Sequence, residues 1–237
     1  MRLVQWLRAI SRSSAPQALP TRMRKKRFEL FEEMVIAIRE KKSGVLSIGD
    51  FGGTAAYWDQ VYDMARNPLN LEITLINQSQ TRETDSRFNH LLADVRELAH
   101  ISNHAFDVSF SNSLIEHLGD LSVQARVVKE MLRIGSHVYL QTPNRGFFWE
   151  PHYALPFVHW LSLPARMRTL SMVSKTSLRK QYDVYISNPV RLLSKSELRY
   201  IFPQSEFDHQ AERAFGTVKS WVIRSRSALM LSHLNDR

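Results

Sequence analysis

Apolar residues recur along this chain with two different periods. Between Arg24 and Lys41 they fall at Phe28, Phe31, Met34, Val35 and Ile38, three and four residues apart, which predicts an amphipathic helix stopped by Gly44. Shorter apolar runs follow at Val45–Phe51, Leu71–Ile76, His90–Ala93, Phe106–Ser111 and His137–Thr142, and each reads as a strand. Between the fourth and fifth, Leu121, Val123, Val127, Val128, Met131 and Leu132 precede Gly135 and predict a crossing helix, Leu121–Arg133. Strands that alternate with helices imply a mainly parallel sheet, and right-handed crossovers place one class of loop along one sheet edge.

Residues 147–191 break this rhythm with aromatics (Phe147, Phe148, Trp149, Tyr153, Phe157, Trp160) and prolines (Pro151, Pro156, Pro164, Pro189), and read as an inserted cap. Ser194 then opens a helix to Phe202, with Glu197 placed for a capping box. Two closing strands, Glu206–Arg213 and Thr217–Arg224, meet at Gly216 as a hairpin. The expected architecture is therefore α/β: a doubly wound, seven-stranded mixed sheet with an inserted helical cap. It occupies residues 23–237, behind an arm of residues 1–22 that joins an amphipathic segment (Leu3, Val4, Trp6, Leu7, Ile10) to a Ser/Pro-rich link, Ser11–Pro20.

Composition narrows the class. At 237 residues, 43% hydrophobic and 23% charged, the chain suits one globular domain with an insertion, and no apolar run reaches the roughly 18 residues of a spanning helix. The absence of cysteine removes disulfides, thiolate zinc sites and cysteine nucleophiles together. With Leu3–Ile10 interrupted by Gln5 and Arg8, no signal peptide is expected, and the chain reads as cytoplasmic.

The net charge of +9 is unevenly spread: residues 1–27 hold eight basic residues and no acid, leaving +1 for the other 210. Arg166, Arg168, Lys175, Arg179 and Lys180 form a second basic cluster. Both suit a solvated surface. The basic amphipathic arm also suits contact with the inner face of a membrane, whereas a nucleic-acid partner is not expected, because the excess charge lies on the arm rather than across a core face.

The most informative stretch is Val45–Trp58, VLSIGDFGGTAAYW, where a strand ends at Asp50 and runs into Gly52, Gly53 and Thr54 before a helix. A glycine pair there lets a ligand approach the backbone, at the sheet edge where doubly wound folds bind ligands. The glycines at 49, 52 and 53 do not make the dinucleotide pattern GxGxxG. The run DFGGTAAYW resembles the first motif, DxGGTxxxW, of a branch of class I S-adenosylmethionine-dependent methyltransferases, the type 11-like methyltransferases. Further similarities follow in order: ITLINQ (Ile73–Gln78), LLADVREL (Leu91–Leu98), FDVSFSNSLIEHLGD (Phe106–Asp120), LRIGSHVYLQTPNRGFFWEPH (Leu132–His152) and AERAFGTVKSWVIRSR (Ala211–Arg226). The resemblance covers about residues 28–226.

It implies a Rossmann-like methyltransferase fold and S-adenosyl-L-methionine as cofactor. Asp50, Gly52, Gly53 and Thr54 would form the cofactor loop, and Asn77 would hold the ribose where most members carry an acid. Asp94 would meet the adenine amino group with Val95 flanking the ring, and Ser111, Asn112 and Ser113 would lie beside the methionine part. The same residues suit plainer roles: a tight turn for the glycines, loop orientation for Asp50, a strand-end turn for Asn77 and a helix cap for Asp94.

Methyl transfer to a hydroxyl needs alignment and a base to take the acceptor proton. His152, Glu150 and His117 follow the fifth and fourth strands on the expected cofactor side and are the candidates, with His152 first; fixing the cap or closing a helix start are their structural alternatives. His100 and His104 stand four apart in a polar loop without a nearby carboxylate, so no metal site is expected. The resemblance points to O-methylation of a small-molecule or glycan hydroxyl, such as a surface or secreted sugar. A non-catalytic binding module, or a lipid-linked or RNA acceptor, is the alternative. Oligomeric state is not legible.

Overall fold

The amphipathic stripe near the start of the chain forms helix α1, Leu19–Arg39, in a computed structural model that describes residues 19–79, 85–153, 155–174 and 189–229. The helix begins inside the segment read as an arm, and Thr21 and Met23 are already buried. It is tied down by the Tyr139 hydroxyl, which donates to the carbonyl of Arg27 at 2.6 Å. Arg22 therefore belongs to a packed helix rather than to the arm, and Arg24–Arg27, in the helix as the spacing predicts, carry their charge on a packed element although it was counted with the arm. The amphipathic segment at residues 3–10 lies outside the described residues, as do Lys175, Arg179 and Lys180.

Five parallel strands follow: β1 Leu46–Phe51, β2 Leu71–Asn77, β3 Asn89–Leu92, β4 Phe106–Asn112 and β5 Gly135–Pro143. Two short antiparallel strands, β6 Trp149–Glu150 and β7 Leu155–Pro156, pair with each other. The closing hairpin, β8 Phe207–Ala214 and β9 Thr217–Ser225, joins antiparallel to β5 and completes a seven-stranded mixed sheet in the order β3-β2-β1-β4-β5-β9-β8. Its turn holds Phe215 and Gly216 at φ +50° and +74°, the left-handed pair that fits the twist of a two-residue hairpin. Strand order reverses between β1 and β4, the switch point at which such sheets bind ligands.

Alternation along the strands feeds a core on each face. Leu46, Ile48, Val108, Phe110, Tyr139 and Val222 pack with Phe28, Phe31 and Met34 of α1; there Phe110 and Tyr139 stack at 5.0 Å. Phe51, Ile76, Val138, Leu140 and Ile223 face helix α3, Leu121–Ile134, through Val127, Val128 and Met131. Successive strand side chains point to opposite faces, so one apolar run serves both cores. Helix α3 passes directly into β5 at Gly135, where a Cβ would stand 2.6 Å from the backbone nitrogen of Ser109.

Helix α2, Ala55–Val61, follows β1, and α5, Lys195–Ile201, carries the expected capping box between Ser194 and Glu197. The short helix α6 is Arg226–Leu229. The inserted segment contains β6, β7, a single 3-10 turn at Val158–Trp160 and helix α4, Leu163–Ser174. It has its own small core of Tyr153, Val158, Leu170, Val190 and Leu192. Arg166 acts inside it, donating to the carbonyls of Val190 and His159 at 3.0 and 2.9 Å.

Candidate functional site

The turn from β1 to α2 explains the spacing of its own motif. Helix α2 returns Trp58 over the strand end, where its indole N–H donates to the buried Asp50 carboxylate at 2.8 Å. Burial, against that hydrogen bond, pushes the Asp50 pKa up to about 7. Gly52 sits at φ +73°, and a Cβ on Gly53 would lie 1.9 Å from the Asp50 carboxylate oxygen. Thr54 caps α2 by accepting from the Tyr57 N–H. At the end of β2, Asn77 donates its side-chain N–H to the Gly53 carbonyl at 2.8 Å and so holds the loop in place.

Gly52, Gly53, Thr54, Asn77, Val95 and His117 share the wall of one cleft of about 360 Å³ at the carboxyl ends of β1, β2 and β4. The other expected cofactor residues are placed differently. Asp50 and Ser111 are buried beneath, the Ser111 hydroxyl 3.4 Å from the Phe51 carbonyl. Asp94 does not line the cleft; its carboxylate is gripped by Arg96 at 2.6 Å, and that hydrogen bond holds its pKa far below the carboxylate range. Asn112 and Ser113 line a second cavity, of about 320 Å³. Ser113 takes a left-handed backbone (φ +56°), its hydroxyl donating to the Gln141 side-chain oxygen at 2.8 Å.

The three candidate catalytic residues come together. His117 ends a 3-10 turn after β4 and His152 follows β6; their Nε2 atoms are 3.2 Å apart and the rings are near perpendicular. His117 lines the first cleft and His152 the second, so the pair stands between the two. The buried Glu150 carboxylate accepts from His152 Nδ1 at 2.7 Å. Burial disfavours the His152 cation, but the hydrogen bond and charge of Glu150, helped by Glu116, outweigh it and raise the pKa. His117 is pushed down to about 4 by burial and by the neighbouring His152. It is neutral at neutral pH.

Several residues of this site were not singled out by sequence. Glu116 is fully buried, its Oε1 has no hydrogen-bond partner, and burial raises its pKa to about 7. Glu116, His117 and His152 each bring one ligand atom within 4.8 Å of the others, a group able to hold a metal ion. No metal spacing marks it, because 35 residues separate the histidines. The second cavity also takes Arg24, Arg27, Gln141 and Lys219 into its wall. Arg24 and Arg27 lie three apart on α1, the spacing that puts two side chains on one helix face. Lys219 carries no such mark.

Strand order, switch point and glycine loop together define a doubly wound α/β domain with a cleft of about 360 Å³ at its carboxyl edge. No family model matches the sequence, and no curated protein matches it. Among solved structures the chain is similar to a cyclopropane-fatty-acyl-phospholipid synthase-like protein from Lactobacillus casei (TM-score 0.49, 10% identity, 94% of this chain and 98% of that one). It is also similar to a SAM-dependent methyltransferase from Methanosarcina mazei (0.45, 12%, 79% and 95%) and to magnesium protoporphyrin IX methyltransferase from Synechocystis (0.47, 7%, 85% and 83%). These likenesses are distant, and the fold rests on the strand order of this chain itself.

Proposed function

We propose that this chain is an S-adenosylmethionine-dependent methyltransferase acting on a hydroxyl of a small molecule or glycan. One observation carries the reading: the cleft built on Gly52, Gly53 and Asn77 is separated from a second cavity by a histidine pair backed by a buried carboxylate. The residues of the first cleft fit an adenosyl ligand: Gly52 and Gly53, whose lack of a Cβ lets the turn close against Leu114 and Asp50, put bare backbone into its wall beside the polar Asn77 and the apolar Val95. Its volume lies in the range of small-molecule sites, about 300–1,000 Å³.

When bound, S-adenosylmethionine supplies a methyl group made electrophilic by its sulfonium. The chain's own task is to align the acceptor oxygen and take its proton. His152 is placed for the second, because Glu150 holds Nδ1–H and leaves Nε2 as the proton-accepting atom of the neutral ring. His117 Nε2 stands 3.2 Å from that nitrogen and gives up the contact when the acceptor hydroxyl takes its place. Calorimetric titration with S-adenosylmethionine and S-adenosylhomocysteine tests the binding half; silence with both at millimolar concentration ends the proposal. Turnover on a panel of sugars, phenols and lipids separates an enzyme from a binding module: methylated product that vanishes with Gly53→Arg excludes the module.

Peripheral contact with the cytoplasmic face of a membrane is part of the same proposal. The cap exposes Phe157 (51%), Trp160 (49%) and Leu163 (50%), and no helix of the described residues is long and apolar enough to cross a membrane. Co-sedimentation with anionic vesicles that is unchanged by Trp160→Ser and by removal of residues 1–18 would refute it.

A further inference from the structure

The cavity that His152 lines carries more positive charge than its neighbours neutralise. Arg24, Arg27 and Lys219 share its wall, and among the described residues the carboxylate paired with Arg27 and Lys219 is Glu212. Glu212 reaches Arg27 Nε at 3.6 Å and Lys219 Nζ at 3.9 Å, both longer than a hydrogen bond, and its other commitment is the Ser220 hydroxyl. Arg24 donates to the neutral side-chain oxygen of Gln60 at 2.8 Å. Two buried donors in the wall, Arg27 Nε and the indole Nε1 of Trp149, have no hydrogen-bond partner. Buried donors of this kind are rarely left unpaired.

The backbone is shaped to bring these cations in. Between β8 and β9, Glu212 pairs with Ser220 and Arg213 with Val218, so Lys219 is the extra residue of a β-bulge. Bulges of this kind re-aim a side chain next to functional sites. Asn144 pins the bulge from β5's side, its N–H donating to the Lys219 carbonyl at 2.9 Å and its side chain to the Val218 carbonyl at 2.8 Å. Arg27 is pinned through Tyr139. Cations held on rigid elements are pre-organised for a ligand rather than left to sweep solvent.

We propose that this cavity binds an anionic group, a carboxylate or phosphate carried by the acceptor, through Arg24, Arg27 and Lys219. Charge-assisted contacts from planar guanidinium and ammonium donors suit either group. With a volume of about 320 Å³, the cavity takes a body of about one sugar ring, between the aromatic walls of Phe147 and Trp149 and with His152 in reach of its hydroxyl. The positive field also fits the electrostatics of the wall itself. Burial, and then Arg27 and Arg24 against the pull of Glu212, lowers the pKa of Lys219, and a bound anion relieves that strain. The inference rests on the methyl-transfer reading for the word acceptor, not for the charge of the cavity.

The test uses the full chain. S-adenosylhomocysteine binding is measured first, which reads the methyl-transfer proposal alone. Inorganic phosphate and acetate are then titrated by calorimetry at constant ionic strength, with and without S-adenosylhomocysteine. Saturable binding of either anion is expected, the tighter one naming the group. Lys219→Gln should weaken it about tenfold or more, Lys219→Arg should restore it, and Arg24→Gln, on a helix surface, repeats the measurement if Lys219→Gln misfolds. No saturable binding of either anion, or equal affinity in a folded Lys219→Gln or Arg24→Gln protein, overturns the proposal.

Discussion

Glu150 grips His152 twice: one carboxylate oxygen accepts from the ring Nδ1 at 2.7 Å and the other from the backbone N–H of the same residue at 2.6 Å. The ring is thereby fixed in tautomer and direction, with Nε2 turned to His117. A His152→Ala protein is expected to lose about 10²- to 10⁴-fold in kcat while binding S-adenosylhomocysteine as before. Glu150→Gln should lose less, through kcat rather than KM, because an amide cannot accept from both N–H groups and also stabilise the imidazolium. Steady-state kinetics with a bound-ligand control checks both.

The same histidines offer a place for an unwanted ion. A tetrahedral zinc with Zn–N bonds of about 2.0–2.1 Å separates two nitrogen ligands by about 3.3 Å, and here the Nε2 atoms stand 3.2 Å apart with the Glu116 carboxylate near. Zinc added at micromolar concentration should inhibit methyl transfer by occupying the base, and a chelator should restore it. Glu116→Gln should raise the zinc concentration needed. Activity indifferent to zinc would mean that the two nitrogens do not converge on a common point.

Much of the fold was legible because its signals are local. The strand runs, the crossing helix before Gly135, the capping box at Ser194 and the hairpin at Gly216 each sit within a dozen residues, and each element formed with ends shifted by a few positions. The glycine loop was legible for the same reason, since Asp50, Gly53 and Trp58 meet within a single turn. The histidine pair was legible only as two separate loops at one sheet edge. Glu116 was hidden because its meaning comes from burial, and Lys219 because a bulge, which no periodicity reports, re-aims it. Arg24 and Arg27 fell in the predicted helix but were counted with the charge of the arm, because composition does not report that Phe28 and Phe31 anchor that helix to the sheet and turn the two guanidinium groups into a cavity.

Asp50 makes stability depend on pH in a direction opposite to that of a salt-bridged carboxylate. Its folded pKa of about 7 lies above the unfolded value near 4, so the folded protein keeps a proton that the unfolded chain releases. The stability this gives is fully present below about pH 4 and is lost as pH rises through about 7, an effect of up to about 4 kcal/mol. Urea melts at pH 5 and pH 8 should show the fall, and Asp50→Asn, whose side-chain oxygen still accepts from Trp58, should flatten that part of it. An identical slope in the variant would assign the dependence to other groups.

The resemblance of ITLINQ to a second-strand motif implies an acid at the place of Asn77, and the geometry here gives a reason for the amide. Its side-chain N–H donates to the Gly53 carbonyl at 2.8 Å, an interaction that a carboxylate at the same position would turn into oxygen facing oxygen. Asn77→Asp therefore sets a charged acceptor for the ribose hydroxyls against the loss of the tie that holds the glycine loop. Leaving the carbonyl opposed by a carboxylate costs about 1–3 kcal/mol, more than a single exposed ribose contact returns, so affinity for S-adenosylmethionine should fall about tenfold instead of rising. Asn77→Ala, which removes the tie without adding repulsion, should fall less. Calorimetry on the three proteins decides it: an Asn77→Asp protein that binds more tightly than the parent would show that the ribose contact, not the loop tie, dominates at this position.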